Sequence, residues 1–152
     1  MGIGTDQLFF DILRADAQFM QRIGGRLYNT VIGKPDIDEL NEPVPYVIIM
    51  FAGLVNDEGT KDDPFESETD TVNIEIELTA NDPDELTELA MMIRRIVHKA
   101  MTDNMDSYDP DPAMPIDYRF STSDKTYIYE KPCYVIVLKW SCDIMNSLTT
   151  NV

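Results

Sequence analysis

Two segments of the chain carry apolar residues at the spacing of an amphipathic helix. The first runs from Thr5, a plausible cap, to the glycine pair Gly24-Gly25, since glycine commonly follows the last turn of a helix. The second opens with "DPDELTELAMM", in which Asp82 is the cap and Pro83 takes the first helical position. The apolar stripe of the first helix consists of Leu8, Ile12, Phe19 and Ile23, with Phe9, Leu13 and Met20 beside them. The predicted buried face of the second helix consists of Leu86, Leu89, Ala90, Ile93, Ile96, Val97 and Ala100.

Other segments have the pattern of β-strands. Residues 46–55, "YVIIMFAGLV", are apolar on both faces and predict a central strand. In residues 72–79 apolar and polar side chains alternate, which predicts one face in the core and one face in water. Two further strands are expected at 118–121 and at about 133–144, and a short one is possible at 26–32.

The order of these elements predicts the fold class. The predicted order is a helix, one or two strands, a strand, a helix and two strands. This order is typical of an α+β fold. We expect a mostly antiparallel sheet of four to five strands with two helices packed on one face. A length of 152 residues fits a single domain over 1–152, with 146–152 expected to be a frayed C-terminal tail.

Two acidic segments separate the elements and are predicted to be long loops. Residues 56–70 contain seven acids and one base, and residues 103–117 contain five acids, no base and three prolines. Loops of this length inside a domain are commonly functional or disordered. We predict an interface formed by the first loop and the polar face of the strand after it. Its residues are Asp57, Glu58, Asp62, Asp63, Phe65, Glu66, Glu68, Glu75 and Glu77.

The overall charge limits the partners that the chain can bind. With 12 Lys and Arg against 28 Asp and Glu, the net charge is −16 and the sequence pI is about 4.1. This balance argues against sequence-specific nucleic-acid binding and against an anionic membrane surface, both of which require clustered cations. The longest apolar runs are far shorter than the roughly 20 residues that span a bilayer. No signal peptide is visible at the N-terminus, so we expect a cytoplasmic protein.

The residues that usually carry out nucleophilic catalysis are scarce. The only imidazole, His98, belongs to a basic group with Arg94, Arg95 and Lys99, expected near the end of the second helix, where the helix dipole favours positive charge. The two cysteines, Cys133 and Cys142, are expected to be buried thiols without a disulfide.

Acidic side chains offer two further possibilities, neither of which we favour. The segment 103–117 has oxygen ligands for calcium but lacks the glycine and the final Glu of an EF-hand loop. Glu75 and Glu77 lie about 7 Å apart along one strand face, a spacing that paired catalytic carboxylates could use. Alternating Glu on a strand is more typical of a solvated face. We therefore predict no enzyme, no cofactor and no metal.

The layout of the chain resembles that of a known family. The resemblance lies in the N-terminal helix "TDQLFFDILRADAQFMQRIGGRLYN", the proline-led strand "EPVPYVIIMF", a long polar hairpin tip, the strand "TVNIEIELTA", the helix opening "DPDELTELAMMIRRIVHKAM" and the final "RFSTSDKTYIYEKPCYVIVLKWSC". Together these resemble the small tail-terminator (tail completion) proteins of long-tailed phages and prophages. Other tail and neck proteins share much of the same pattern.

The resemblance implies a structural role in virion assembly. It implies a homo-oligomeric ring, usually of six subunits, that caps the tail tube and docks the head connector. The implied partners are other copies of the chain, the tail-tube proteins and the head-connector proteins. The implied locations are the bacterial cytoplasm during assembly and then the virion. Acidic walls would repel DNA phosphates and let DNA pass through such a ring without sticking.

Two other functions remain open at this stage. A small acidic binding or inhibitor module that mimics nucleic acid would bind a basic protein in a salt-sensitive way. A metal-dependent hydrolase would melt at a higher temperature when its metal is added. Three aromatic residues have two open interpretations: Trp140, Tyr127 and Tyr129. They are either anchors of a protein interface or aromatic residues of the core and the sheet face.

Overall fold

The computed structural model describes residues 2–29, 43–56 and 68–146. These residues form a mixed α+β fold, which confirms the predicted class. The described helices are α1 (Thr5–Arg14), α2 (Ala17–Arg22) and α3 (Pro83–Met105). The described strands are β1 (Leu27–Asn29), β2 (Tyr46–Asn56), β3 (Thr69–Ala80), β4 (Asp117–Thr122), β5 (Thr126–Ile128) and β6 (Cys133–Met145).

The strands form one sheet in the order β1-β2-β3-β6-β4, with β5 also paired to β6. Only β1 runs parallel to its neighbour β2, and the other pairs are antiparallel. The centre of the sheet is the long pair β3 and β6, in register from Thr69 opposite Met145 to Ala80 opposite Tyr134. The mostly antiparallel sheet is therefore confirmed, with six strands among the described residues where four to five are predicted.

The N-terminal apolar stripe folds as two helices instead of the predicted single one. Asp16 leaves the helical conformation, with φ −88° and ψ 104°, and its carboxylate accepts a hydrogen bond from the backbone N–H of Phe19 at 2.9 Å. An Asp in this position caps a new helix, so the chain ends α1 and starts α2 there. The predicted cap Thr5 is also wrong, because Gly4 occupies the cap position and Thr5 is a buried helical residue.

The predicted glycine stop is confirmed. Gly24 and Gly25 have φ values of 61° and 75°, the left-handed region that side chains disfavour. The backbone N–H of Gly25 donates to the carbonyl of Met20 at 2.9 Å, which satisfies a carbonyl at the end of α2. A Cβ atom on Gly24 would lie 2.5 Å from the guanidinium of Arg26, but that flexible side-chain end can move, so the positive φ is the reason for glycine here.

All three helices pack on one face of the sheet and bury the main core. The helices contribute Phe9, Leu13, Phe19, Ile23, Leu86, Leu89, Ile93 and Val97, all with no solvent exposure. The sheet contributes the alternating inward residues Val72, Ile74, Ile76 and Leu78 of β3 and Ile136, Leu138, Trp140, Cys142 and Ile144 of β6. The alternation in β3 thus sets the register, since a shift by one residue would turn every inward side chain outward.

The opposite face of the sheet is not uniformly solvated, which corrects the prediction for β3. Glu77 is 5% exposed and Thr79 is 1% exposed, beside a second apolar cluster that contains Tyr46 and Ile48. In the register of the sheet Glu77 lies opposite Ile48, and Thr79 lies opposite Tyr46. The first half of β2 is therefore buried on both faces, as predicted. Its second half, which extends past β1, includes the exposed Val55.

Helix α3 continues one turn further than the pattern predicts. Met101 extends the buried stripe, and Lys99 pairs with Asp103 at 2.7 Å, four residues on. The helix ends at Met105, so the acidic loop begins at about residue 106 and the basic group lies inside the helix. Asn146, the first residue of the expected C-terminal tail, is buried and donates hydrogen bonds to the side chain of Asp70 and the backbone carbonyl of Glu68. The rest of that tail, residues 147–152, lies outside the described residues.

Candidate functional site

The predicted acidic interface is only partly within the described residues. Glu68 is exposed, Glu75 is half-buried and Glu77 is buried. The other six predicted residues, Asp57, Glu58, Asp62, Asp63, Phe65 and Glu66, lie outside the described residues. Because Glu77 is buried while Glu75 is more open, these two carboxylates do not form the evenly solvated row that the alternation predicts.

A polar network crosses the helix-free face of the sheet beside Glu75. The guanidinium of Arg119 in β4 donates to both carboxylate oxygens of Asp143 in β6, each at 3.2 Å, and to the hydroxyl of Ser141 at 3.2 Å. The hydroxyl of Thr71 in β3 donates to Asp143 at 3.1 Å. Three strands are therefore linked through one carboxylate, and the paired charge of Asp143 raises the pKa of Arg119.

This network borders a shallow depression of about 390 Å³ that Glu75 and Lys139 also line. Its charges are mixed in sign, and Arg119 and Asp143 already satisfy each other. Among the described residues, no group of three or more His, Cys, Asp or Glu is placed to hold a metal ion.

Two basic residues of α3, Arg94 and His98, contact the adjacent strand β4. The imidazole of His98 shares a hydrogen bond with the hydroxyl of Tyr118, and the guanidinium of Arg94 lies 4.2 Å from the ring centre of Phe120. Arg94 and His98 are one helical turn apart, and Tyr118 and Phe120 are on one face of a strand, so the pairs meet in register. Arg94 and His98 are four residues apart, and Tyr118 and Phe120 are two residues apart. These spacings are the sequence signal that could have predicted this contact.

Trp140 lies in the core, whereas Tyr127 and Tyr129 lie on the surface. Trp140 is 1% exposed and makes edge-to-face contacts with Phe9 and Phe120 at centroid distances of 5.5 and 4.8 Å. Tyr127 and Tyr129 are 39% and 82% exposed and contact each other at 4.8 Å. Trp140 is thus a core residue, and the two tyrosines belong to the surface of the β5–β6 hairpin.

The cysteines are buried thiols, as predicted. Neither Cys133 nor Cys142 forms a disulfide. Burial, reinforced by the charge of Asp143, raises the pKa of Cys142 to about 12 from an ordinary value of 9.0. A thiol with this pKa is almost entirely protonated at neutral pH, so Cys142 is not a nucleophile in the folded protein.

The acidic loop after α3 contains several internal hydrogen bonds and exposes a tyrosine. The side chain of Asn104 accepts a hydrogen bond from the backbone N–H of Asp111 at 2.8 Å and donates to its carbonyl. The carboxylate of Asp111 in turn accepts from the backbone N–H of Ala113 at 2.9 Å. Tyr108, at the far side of this clamp, is fully exposed.

A groove of about 510 Å³ lies on the outer surface of the helix layer, between the α1–α2 junction and α3. Half-buried Ile12, Met92 and Ile96 form its apolar floor, and Arg95 and Lys99 are at its rim. None of the described helices is long and apolar enough to cross a membrane. The groove combines this apolar floor with the charged residues Asp16, Arg95, Lys99 and Asp103, and Lys99 and Asp103 are paired with each other.

Comparison with known proteins identifies a similar fold. No protein-family model matches the sequence, and no curated protein matches it. A chain in the solved structure of the virion of a native gene transfer agent particle has the same fold, with a TM-score of 0.60 and 14% sequence identity. The match covers 91% of this chain and 92% of that chain. The similarity extends over nearly the whole of both chains, so it describes the complete fold and not a shared fragment.

Proposed function

We propose that this chain is a structural subunit of a phage or phage-like virion. The observation that carries the proposal is the shared fold with a chain of a gene transfer agent virion, over 91% of one chain and 92% of the other. The layout resemblance to phage tail-terminator proteins points to the same class of particle from the sequence. One of these comparisons uses the folded backbone and the other uses the order of the elements along the sequence.

Within that class we propose a tail-terminator-like role. Copies of the chain form a ring, of about six subunits, that caps the tail tube and joins it to the head. The charge of −16 fits a ring whose inner wall repels DNA phosphates, so that DNA passes without binding. Three surfaces on the described part of the chain could contact other subunits: a loop with an exposed tyrosine, a groove with an apolar floor and a polar sheet face.

A nucleic-acid mimic is less well supported by the described side chains. Such a protein needs exposed carboxylates in a regular array that a basic partner can bind. Here Glu77 is buried, Asp143 is paired with Arg119, and Asp16 and Asp82 are helix caps. These four acids stabilise the fold of the chain itself and do not form such an array.

Deleting the gene in the strain that carries it tests the proposal. We expect electron microscopy of the lysate to show heads and tails that are not joined, or tails of irregular length, and a wild-type copy of the gene to restore joined particles. Normal, infectious particles after deletion would contradict the proposal. Replacing the acids of 56–70 by Asn or Gln tests the charge argument separately, since unchanged assembly and DNA delivery would refute it.

A further inference from the structure

We infer that the outer edge of β4 binds an extended acidic segment of another protein, which joins the sheet as a further strand. The inference goes beyond the proposed function, because β4 lies outside the acidic interface that the sequence predicts. The partner is defined by its chemistry, which is an extended backbone with carboxylates at alternate positions. The site belongs to the isolated chain, so it can be tested without any virion.

The outer edge of β4 has backbone groups that no described strand uses. β4 ends one side of the sheet, and the described residues include no strand on its outer side. The backbone N–H of Ser123 donates to the carbonyl of Val137 in β6 at 2.9 Å. Backbone groups along an antiparallel strand alternate in direction, so those of Phe120 and Thr122 point away from β6. An open edge of this kind is a template for a further strand.

No backbone feature blocks the middle of this edge. The strand contains no proline and no glycine. The backbone N–H of Tyr118 is already bonded to the carboxylate of Asp117 at 2.8 Å, which leaves the N–H groups of Phe120 and Thr122 as the outward donors. These donors and the outward carbonyls beside them are the groups that an added strand would bind.

One face of α3 runs beside this edge and supplies positive and apolar side chains. The guanidinium of Arg94 lies 4.2 Å from the ring centre of Phe120, and the ammonium group of Lys125 donates to the hydroxyl of Thr87. Spacings of three and four residues place a set of side chains on this helix face. The set is Thr87, Met91, Arg94, His98, Thr102 and Met105. Its two methionines are 57% and 68% exposed, so the face also offers apolar contact.

On the helix side this edge is positive, although the chain as a whole is acidic. The α3 face beside β4 carries Arg94 and His98 and no Asp or Glu. Lys125, in the segment between β4 and β5, adds a second full charge. Among the described residues, neither Arg94 nor Lys125 is paired with a carboxylate. Both cations are therefore available to the carboxylates of an added strand.

The acids nearest to this edge do not cancel its charge. Side chains alternate along a strand, so Asp117 and Arg119 lie on the helix-free face, where Arg119 is paired with Asp143. Asp124 precedes Lys125 and offsets part of its charge. Arg94, over the middle of β4, is therefore the main anchor for a carboxylate.

The shape and the charge of the site together define an acidic strand of another protein as the occupant. Side chains on one face of a strand are about 7 Å apart and one helical turn is about 5.4 Å, so carboxylates at alternate positions can follow the basic face of α3. The matching pattern in this chain, Glu75 and Glu77, lies in β3, which is paired on both sides with β2 and β6. The described part of a second copy therefore offers no edge strand with this pattern, and a different protein is the partner.

Titration with two peptides tests the site. The probe is a capped nine-residue threonine peptide with glutamate at its fourth and sixth positions, and the matched control peptide has glutamine there. Threonine favours an extended strand, and salt at about 0.15 M screens the distant acids of the chain. We expect the glutamate peptide to shift the amide signals of Phe120 and Thr122 in nuclear magnetic resonance spectra of the isotope-labelled full chain. The glutamine peptide should bind at least about threefold more weakly.

Two variants of the chain separate the backbone contacts from the charge contacts. Thr122→Pro removes an outward N–H and blocks the edge, and it retains the ladder to β6 because this N–H does not face β6. Arg94→Gln removes the main positive charge at an exposed helix position. The first variant should bind the glutamate peptide about fivefold more weakly or less, and the second about threefold more weakly or less. Tyr129→Phe, on the exposed β5–β6 hairpin, is the control and should bind like wild type.

Four results would overturn the inference. They are no shift in β4, equal binding of the two peptides, wild-type binding by either variant, and shifts of Phe120 and Thr122 that grow with chain concentration when no peptide is present. The last result would assign the edge to a second copy. Variant spectra that match wild type away from β4 show that a loss of binding is not a loss of folding, and Arg94→Gln with the peptide pair decides the question if Thr122→Pro does not fold. Detection of the chain in purified particles is a separate observation, so this site can fail while the proposed virion role stands.

Discussion

Replacing Trp140 by Phe should change stability far less than its buried position suggests. Trp140 is 1% exposed at the centre of the core, and its indole Nε1–H is buried with no hydrogen-bond acceptor among the described residues. Leaving a buried donor unsatisfied costs about 1–3 kcal/mol. Phe removes that donor and keeps an aromatic ring between Phe9 and Phe120.

The loss of ring atoms opposes this gain. Phe has about three fewer heavy atoms than Trp, and at about 0.8 kcal/mol per buried methylene-sized group their removal costs about 2 kcal/mol. The two effects nearly cancel, so Trp140→Phe should lower the free energy of unfolding by about 1 kcal/mol or less. Trp140→Ala loses the ring, the edge-to-face contacts and the filled space together, and should cost about 3–5 kcal/mol.

Urea unfolding followed by circular dichroism measures both variants without relying on the chain's single tryptophan. Tyr129→Phe, at a position 82% exposed, is the control and should be neutral. A cost of 3 kcal/mol or more for Trp140→Phe, close to that of Trp140→Ala, would refute the reasoning. That outcome would mean that the indole N–H is well satisfied or that packing alone dominates.

Three further predictions concern a helix cap, a buried thiol and a surface ion pair. Asp16→Ala should lower the free energy of unfolding by about 1 kcal/mol and Asp16→Asn by much less, because only the alanine removes the cap of α2; equal losses in urea titrations would contradict this. Cys142 has a pKa of about 12 when folded against an ordinary 9.0, so the stability that it contributes is complete below pH 9 and is lost as the pH rises toward 12. At about pH 10 the free energy of unfolding of the wild-type chain should have fallen by about 1.4 kcal/mol more than that of Cys142→Ala. Parallel curves of stability against pH for the two proteins would disprove this prediction. A double-mutant cycle on Arg119 and Asp143 should give a coupling of about 1 kcal/mol or less that weakens with salt, since the Arg119 side chain is 59% exposed; a large coupling that persists in high salt would argue against this.

The long elements of the fold are predictable from the sequence because their patterns are strong. The alternation in β3 gives its inward face, and the cap Asp82 followed by Pro83 gives the start of α3. The break at Asp16 is harder to see, since the apolar stripe continues on both sides of it. An Asp three residues before a buried Phe19 is a local cap signal that the helical period alone hides.

Other features depend on partners that are distant in the chain. Strand β5 has three residues and forms by pairing with β6, so its own pattern carries no signal. Glu77 is buried because the second face of the sheet has its own apolar cluster around Ile48, which alternation in β3 cannot reveal. The groove is formed by α1, α2 and α3 together, and no single segment predicts it.

The central claim, that the chain is a structural subunit of a virion, is tested most directly by counting it in particles. Particles purified on a density gradient from the strain that carries the gene are digested and measured by mass spectrometry with isotope-labelled peptides of this chain. The proposed ring predicts a fixed number of copies per particle, about six, that survives repeated purification. Complete, infectious particles that contain no copy of the chain would contradict it.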